Sequence, residues 1–251
     1  MECVWKNTSA CLKIFKAIQH TNPMINVSFN EHGIRVMSMD QSKTSLVKLQ
    51  LAPSTFANYS CTTPMTLGLY TETLTNILQK AKKATLLWKA KDQISLSIYF
   101  VQDDQKTEFS VRAIDIEEDE LDIPELVDDV AISVHYNVLR DWMDKLLMAK
   151  SDIHFKISQT QICCSANSTE FGTITHTEPI NGERVTGTGF VKPVEIALSH
   201  HATKSMFAFS SCGADICFMG FSNEMPSRLK VDLGENSFLC LYVAPKIVDE
   251  Y

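Results

Sequence analysis

The sequence predicts an α+β chain in which antiparallel sheets back a few short helices, and three observations carry that expectation. Apolar and polar residues alternate in many short runs, helical stripes are few, and the helix starts recur at a nearly constant interval.

The alternating runs include Val47, Leu49 and Leu51; Phe109, Val111 and Ala113; Val194, Ile196 and Leu198; Leu229, Val231 and Leu233; and Leu239, Leu241 and Val243. Successive side chains on a strand point to opposite faces, so each run reads as a strand with one wet face, which implies antiparallel pairing. Strands do not alternate regularly with long helices, which disfavours a doubly wound nucleotide-binding fold.

The clearest helical stripe is Val138, Leu139, Trp142, Met143, Leu146 and Leu147, with Asn137 as its expected N-cap. Leu74, Ile77, Leu78 and Ala81 form a second after Thr71, Leu12, Phe15 and Ile18 a third after Thr8 or Ser9, and Met206 and Phe207 mark a fourth after Thr203. Ser9, Thr71, Asn137 and Thr203 lie 62, 66 and 66 residues apart, so a unit of about 65 residues occurs four times. Two of these units share a sequel. Leu86-Leu87-Trp88 and Ile94 to Ile98 follow one helix, and Ile153 to Ile157 and then Ile162 follow another.

With 251 residues, 45% hydrophobic and 21% charged, the chain can build one large domain or two small ones, which excludes disorder as its main character. No run approaches the roughly 18 to 20 apolar residues of a membrane span, and the first six residues lack a signal layout. A cytosolic or nuclear protein without membrane attachment is expected, and its eight scattered cysteines are expected to be reduced and mostly buried. Acceptor triplets begin at Asn7, Asn26, Asn58 and Asn167 but carry no weight without secretion.

The net charge of −7 argues at first against nucleic acid. Its distribution does not. Nine acids and no Lys or Arg lie between Asp115 and Asp129, leaving 21 acids against 23 bases elsewhere. Self-repulsion and Pro124 suit this strip to an extended connector, giving an N-terminal domain at 1–114, a connector at 115–130 and a C-terminal domain at 131–251. Ile116, Leu121 and Ile123 interrupt the acids and should dock on something.

No constellation for catalysis is present. Phosphate-binding and dinucleotide loops, a nucleophile elbow, a zinc-protease helix and paired C-x-x-C motifs are all missing. The pairs His200-His201 and Cys163-Cys164 are expected on strands, where adjacent side chains diverge, so neither should share a metal. The strip lacks the glycine-containing alternation of a calcium loop. No cofactor, metal or catalytic residue is expected.

Read for charge, the polar faces of the helices offer Lys13, Lys16 and His20 on the first; Lys80, Lys82 and Lys83 at the end of the second; Arg140 and Lys145 beside Asp141 and Asp144 on the third; and Lys204 on the fourth. No aromatic residues interleave with these cations and no recognition helix is evident, so phosphate attraction without sequence preference is what remains.

Three strings are more specific: Gly33-Ile-Arg-Val-Met-Ser-Met-Asp-Gln-Ser-Lys-Thr-Ser-Leu-Val-Lys-Leu-Gln-Leu51, Leu121-Asp-Ile-Pro-Glu125 and Leu241-Tyr-Val-Ala-Pro-Lys-Ile-Val-Asp-Glu250. With Leu67-Gly-Leu-Tyr-Thr71 before Leu74-Thr-Asn-Ile-Leu78, they resemble the eukaryotic sliding clamp family, that of proliferating cell nuclear antigen, in order along essentially the whole chain. The resemblance implies the DNA clamp fold, with two similar domains of two helices each, and three chains closing head to tail around duplex DNA. It implies no enzyme activity, and it implies tethering of DNA polymerase, flap endonuclease and DNA ligase, together with a clamp loader, through short peptide motifs. The expected location is the nucleus, or a cytoplasmic site of viral replication for a viral protein.

By matching strings the peptide dock would comprise Met39, Lys43, Thr44 and Leu46, then Leu121, Ile123 and Pro124, then Pro226, Tyr242, Ala244, Pro245 and Ile247, as an apolar pocket beside an extended tail. The trimer contact would pair the strand carrying Phe109 and Val111 with the neighbour's strand carrying Phe171, Thr173 and Thr175. The chain departs from the family pattern at Asn76, Gln79 and Asp144, where basic residues are expected, and in Ser158-Gln-Thr-Gln161, which lacks a modifiable lysine. Two alternatives are a subunit of a heterotrimeric checkpoint clamp, which usually loses the Ala-Pro-Lys-Ile tail, and a nucleic-acid-processing enzyme, disfavoured by the missing carboxylate or metal constellation.

Overall fold

The structure is a computed structural model and describes residues 1–81, 84–117, 127–213 and 215–246. The chain divides into two compact units, Met1–Asp122 with Leu233–Leu239, and Ile123–Asp232 with Cys240–Tyr251.

In the first unit β1 (Glu2–Trp5) leads to α1 (Thr8–Gln19), followed by β2 (Met24–Asn30), β3 (Gly33–Met39), β4 (Ser45–Leu51), β5 (Phe56–Ser60) and β6 (Met65–Tyr70). Next come α2 (Thr71–Leu78), β7 (Thr85–Lys89), β8 (Ser95–Gln102) and β9 (Gln105–Arg112). One sheet runs β5-β1-β7-β8-β9 and a second series runs β4-β3-β2-β6. Every pairing in them is antiparallel.

The second unit repeats the plan. It contains β10 (Val130–His135), α3 (Tyr136–Leu146), β11 (Ile153–Ile157), β12 (Gln161–Ser168), β13 (Gly172–Pro179), β14 (Val185–Phe190) and β15 (Val194–Leu198). They are followed by α4 (His200–Ser210), β16 (Ile216–Phe221) and β17 (Ser227–Gly234). The strand series are β14-β10-β16-β17 and β13-β12-β11-β15, again antiparallel. The last strand, β18 (Ser237–Val243), gives its first three residues to the first unit and the rest to the second.

Each helix buries its stripe against its own unit. On α1, Cys11, Ile14, Phe15, Ala17 and Ile18 are buried, and Phe15 meets Trp88 at 5.5 Å between ring centroids, with Trp5 edge-on to Trp88 at 5.2 Å. On α3, Val138, Leu139, Trp142, Met143 and Leu146 are buried, with the Trp142 ring 5.6 Å from that of His176. α1 packs on α2 and α3 on α4. Burying a large apolar side chain is worth about 1.5–3 kcal/mol, so these stripes hold helices too short to form alone.

The helix starts differ from those expected, and the reason is local. Asn7 caps α1, its side chain accepting from Ala10 N–H, and Ser199 caps α4 by accepting from Ala202 N–H. The caps of α2 and α3 are Tyr70 and His135, neither of which makes a side-chain capping bond. Thr71 and Asn137 therefore stand inside helices that begin straight out of a strand, and Thr71 Oγ1 is used by Asn22 O (2.8 Å) instead. The observed caps at 7, 70, 135 and 199 are 63, 65 and 64 residues apart. The repeat is thus more regular than the sequence signals for it.

His200 and His201 open α4 and are not on a strand. Six cysteines are buried, Cys61 and Cys163 are half-buried, and none forms a disulfide. Burial pushes the Cys217 thiol up to about 12, far from the thiolate that reactive chemistry needs.

Candidate functional site

On α1, Lys13 and Lys16 are exposed, and His20 follows at its C-cap. The helix Thr-Ser-Ala-Cys-Leu-Lys-Ile-Phe-Lys-Ala-Ile-Gln contains no acid, and Lys16 lies in the last turn, where the helix dipole favours a cation. Lys204 is exposed on α4, which likewise has no acid. These two helices carry whatever positive potential the four helices offer.

The other two differ from expectation. α2 ends at Leu78, so Lys80 stands in the turn beyond it, and Lys82 and Lys83 lie outside the described residues. α2 itself has Glu72 and no base. On α3, Arg140 Nε is 3.5 Å from Asp144 and Lys145 Nζ is 2.8 Å from Asp141. From the turn before β14, Arg184 reaches Asp141 at 3.2 Å and the buried Glu178 at 3.4 Å, and His176 Nε2 stands 3.4 Å from that same carboxylate. Hydrogen bonds from Lys145 and Arg184 hold the Asp141 carboxyl below its usual range. The local charge sums to nothing.

The candidate docking residues of the first unit flank one turn. Met39 ends β3 opposite Leu46 on β4, with Leu46 buried and Met39 half-buried. Between them Asp40 is a hub. Its carboxylate accepts from Ser42 Oγ (2.5 Å), Thr44 N–H (2.8 Å), Thr44 Oγ1 (3.1 Å) and Ser45 N–H (2.8 Å). Burial alone would raise this carboxyl, but those donors together hold it below its ordinary value. The knot presents Lys43 at the tip with a left-handed φ of 55° and keeps the Thr44 backbone fixed.

In the second unit Pro226 precedes β17 and is half-buried. Tyr242 on β18 is half-buried between the fully buried Leu241 and Val243. Ala244 and Pro245 follow as half-buried extended chain. The tail is less open than expected, because Lys246 N–H already donates to Ala197 O (2.8 Å) and Lys246 Nζ pairs with Asp152 at 2.6 Å. Leu121, Ile123, Pro124 and Ile247 lie outside the described residues.

The acidic connector is also less solvated at its ends than self-repulsion predicts. Ile114 bridges to Gly68, and Ile116 O accepts from Asn26 Nδ2 (3.1 Å), so this end docks on β6 and β2. At the other end Asp128 and Asp129 are paired within the second unit, Asp128 with Arg228 and Asp129 with Ser222 Oγ at 3.0 Å. Partners 100 residues away cannot be read from a linear charge run. The Asp40 knot could have been, since Asp-x-Ser-x-Thr-Ser is a typical side-chain-to-backbone turn composition.

The candidate contact strands are both outermost in their sheets. β9 ends the series β5-β1-β7-β8-β9 and β13 ends β13-β12-β11-β15. Phe109 is half-buried with its ring 5.3 Å from that of Phe100, Val111 is buried, and Phe171, Thr173 and Thr175 are exposed. Phe171 lies in the turn just before β13 and leaves half of its surface in water.

Among the described residues no group of three or more His, Cys, Asp or Glu side chains could hold a metal ion.

The chain is similar to known proteins along its whole length. Residues 1–122 match the family described as proliferating cell nuclear antigen, N-terminal domain. The chain is 24% identical over 263 residues to proliferating cell nuclear antigen of Chaetomium thermophilum, covering 100% of this chain and 99% of that protein. It is 27% identical over 240 residues to the DNA polymerase sliding clamp of Methanothermobacter thermautotrophicus, covering 94% and 93%. The crystal structure of the nuclear antigen from Entamoeba histolytica superposes with a TM-score of 0.88 at 21% identity over 98% of each chain.

Proposed function

We propose that the chain is a sliding clamp of the proliferating cell nuclear antigen family, to which its N-terminal half and its relatives point, and that three copies close head to tail into a ring that encircles duplex DNA and tethers DNA polymerase to it. The observation that carries this reading is that β9 and β13, the strands expected to pair between chains, are each outermost in their sheets and differ in composition. An unprotected edge invites pairing with another chain, and two unlike edges on one protomer make a heterologous contact, which gives a ring where the rotation between protomers closes. Trimerisation then removes both edges and covers Phe171.

In the ring, Lys13, Lys16 and Lys204 face the phosphates, with His20 and Lys80 nearby. Attraction to phosphate through water carries no sequence preference and lets contacts exchange as the ring moves. Topology keeps the protein on DNA. Flap endonuclease, DNA ligase and the clamp loader bind through short peptide motifs as the polymerase does, with Met39, Thr44, Leu46, Pro226, Tyr242 and Pro245 as docking residues. A peptide inserting one aliphatic and two aromatic side chains buries roughly 300 Å² of apolar surface, a gross ~7 kcal/mol at about 25 cal/mol/Å², and association costs leave micromolar-scale binding. Exchange among partners follows from that weakness. The chain acts as a binding platform without turnover, in the nucleus or at a site of viral replication.

Light scattering tests the assembly. A molar mass three times 28.2 kDa is expected, and a monomer persisting at high concentration would refute the ring.

A further inference from the structure

The sheet β13-β12-β11-β15 ends on β15, and an outermost strand presents backbone groups with which another chain can pair. On β15 and the residue before it, three such groups are already engaged from within the second unit. Asn223 lies along the edge, its Nδ2 donating to Pro193 O (3.0 Å) and its Oδ1 accepting from Glu195 N–H (2.9 Å). Two residues on, Ala197 O accepts from Lys246 N–H (2.8 Å). A side chain and the tail together occupy the edge that the sheet leaves open.

Lys246 is held twice. Besides its backbone bond, its Nζ reaches Asp152 Oδ2 at 2.6 Å. Asp152 stands immediately ahead of β11, whose first residue, Ile153, is in register with Leu198, the neighbour of Ala197. One residue of the tail is therefore fixed both at β15 and at the entry to β11. The two residues before it, Ala244 and Pro245, are half-buried and are expected docking residues. The proline ring fixes its own φ, so a grip at Lys246 leaves Pro245 little freedom.

We propose that Lys246 is a positioning residue of the peptide dock: clasped by Ala197 O and Asp152, it sets the tail in the conformation that a partner peptide meets before any partner arrives. The inference rests on the docking reading above. A free tail would lose conformational freedom on binding, and a tail ordered in advance avoids that loss, so the clasp is read out in peptide affinity. The side chains of Lys246 and Asp152 are 52% and 37% exposed, so the ion pair is modest in strength and weakens with salt.

The test uses the full-length protein and calorimetry with a synthetic peptide bearing one aliphatic and two adjacent aromatic side chains. Lys246→Met and Asp152→Asn should each weaken the peptide by about fivefold, their combination should be no worse than either alone, and the swap Asp152→Lys with Lys246→Asp should recover most of the loss. The two single substitutions shift the local charge in opposite directions. A direct charge effect on the peptide would therefore move affinity in opposite senses, whereas loss of the clasp moves both down. Without peptide, hydrogen exchange at the Lys246 amide should be slow in the wild type and faster in both single variants. Single variants that bind within about twofold of the wild type, or that move affinity in opposite senses, overturn the proposal, and so does an amide that exchanges equally fast in all of them. If Tyr242→Ala retains full affinity, the docking reading fails and takes this inference with it.

Discussion

Helices α1 and α3 occupy corresponding places in the two units, and both carry two cations on their polar faces. They differ in what surrounds those cations. α1 has no acid in its sequence, whereas each cation of α3 has an aspartate four residues away and Asp141 also takes Arg184. Exposed i,i+4 pairs add about 0.3–0.5 kcal/mol each to a helix, but they cancel the field that would attract a polyanion. The cations of α3 are paired on its own surface, so counting basic residues per helix misjudges the field that a helix presents.

That contrast breaks if the helices respond alike to mutation. The largest effect is expected from Lys13→Glu with Lys16→Glu, which should cut DNA association at low salt by about tenfold or more and flatten its salt dependence, since each lost phosphate contact reduces the slope by about one. Filter binding or anisotropy over a salt series measures both quantities. Next, Asp141→Asn with Asp144→Asn releases Arg140 and Lys145 and leaves Arg184 paired with Glu178, and association should rise by about threefold at low salt. A fall would show that these cations never face the polyanion. Arg140→Ala with Lys145→Ala leaves Asp144 without its cation and Asp141 to Arg184 alone, so association should fall by about twofold at low salt.

The smallest effect on DNA, none, is expected from Asp40→Asn, which should instead lower stability by about 1–2 kcal/mol near neutral pH. Its sign with pH is fixed by the depressed carboxyl. A carboxylate whose folded value lies below its unfolded value of about 3.9 contributes above that value, and the contribution drains away as pH falls through the folded value. Denaturant melts at pH 7 and pH 3 should therefore differ less for Asp40→Asn than for the wild type.

The comparison also marks what could be read from residues in order. Alternation gave β4, β15, β17 and β18, and the α3 stripe buries five of its six residues as expected, because burial periodicity is a local property of the chain. Helix starts were displaced by one and two residues where a strand runs directly into a helix, since Thr71 and Asn137 look like caps to local chemistry while the preceding strand decides the entry. The quenching of Arg140 and Lys145 was half legible in Asp141 and Asp144. Arg184, 43 residues downstream, was not. Asp128 and Asp129 read as members of a solvated strip because their partners Arg228 and Ser222 come from strands far along the chain.

Encirclement itself is tested most directly on a linear duplex with biotin at both ends. The protein is mixed with the duplex, streptavidin is added to block the ends or withheld, and the sample is passed through a gel-filtration column at high salt. The account predicts that protein co-elutes with the blocked duplex and leaves the open one. Equal retention on both, or loss from both, would contradict it.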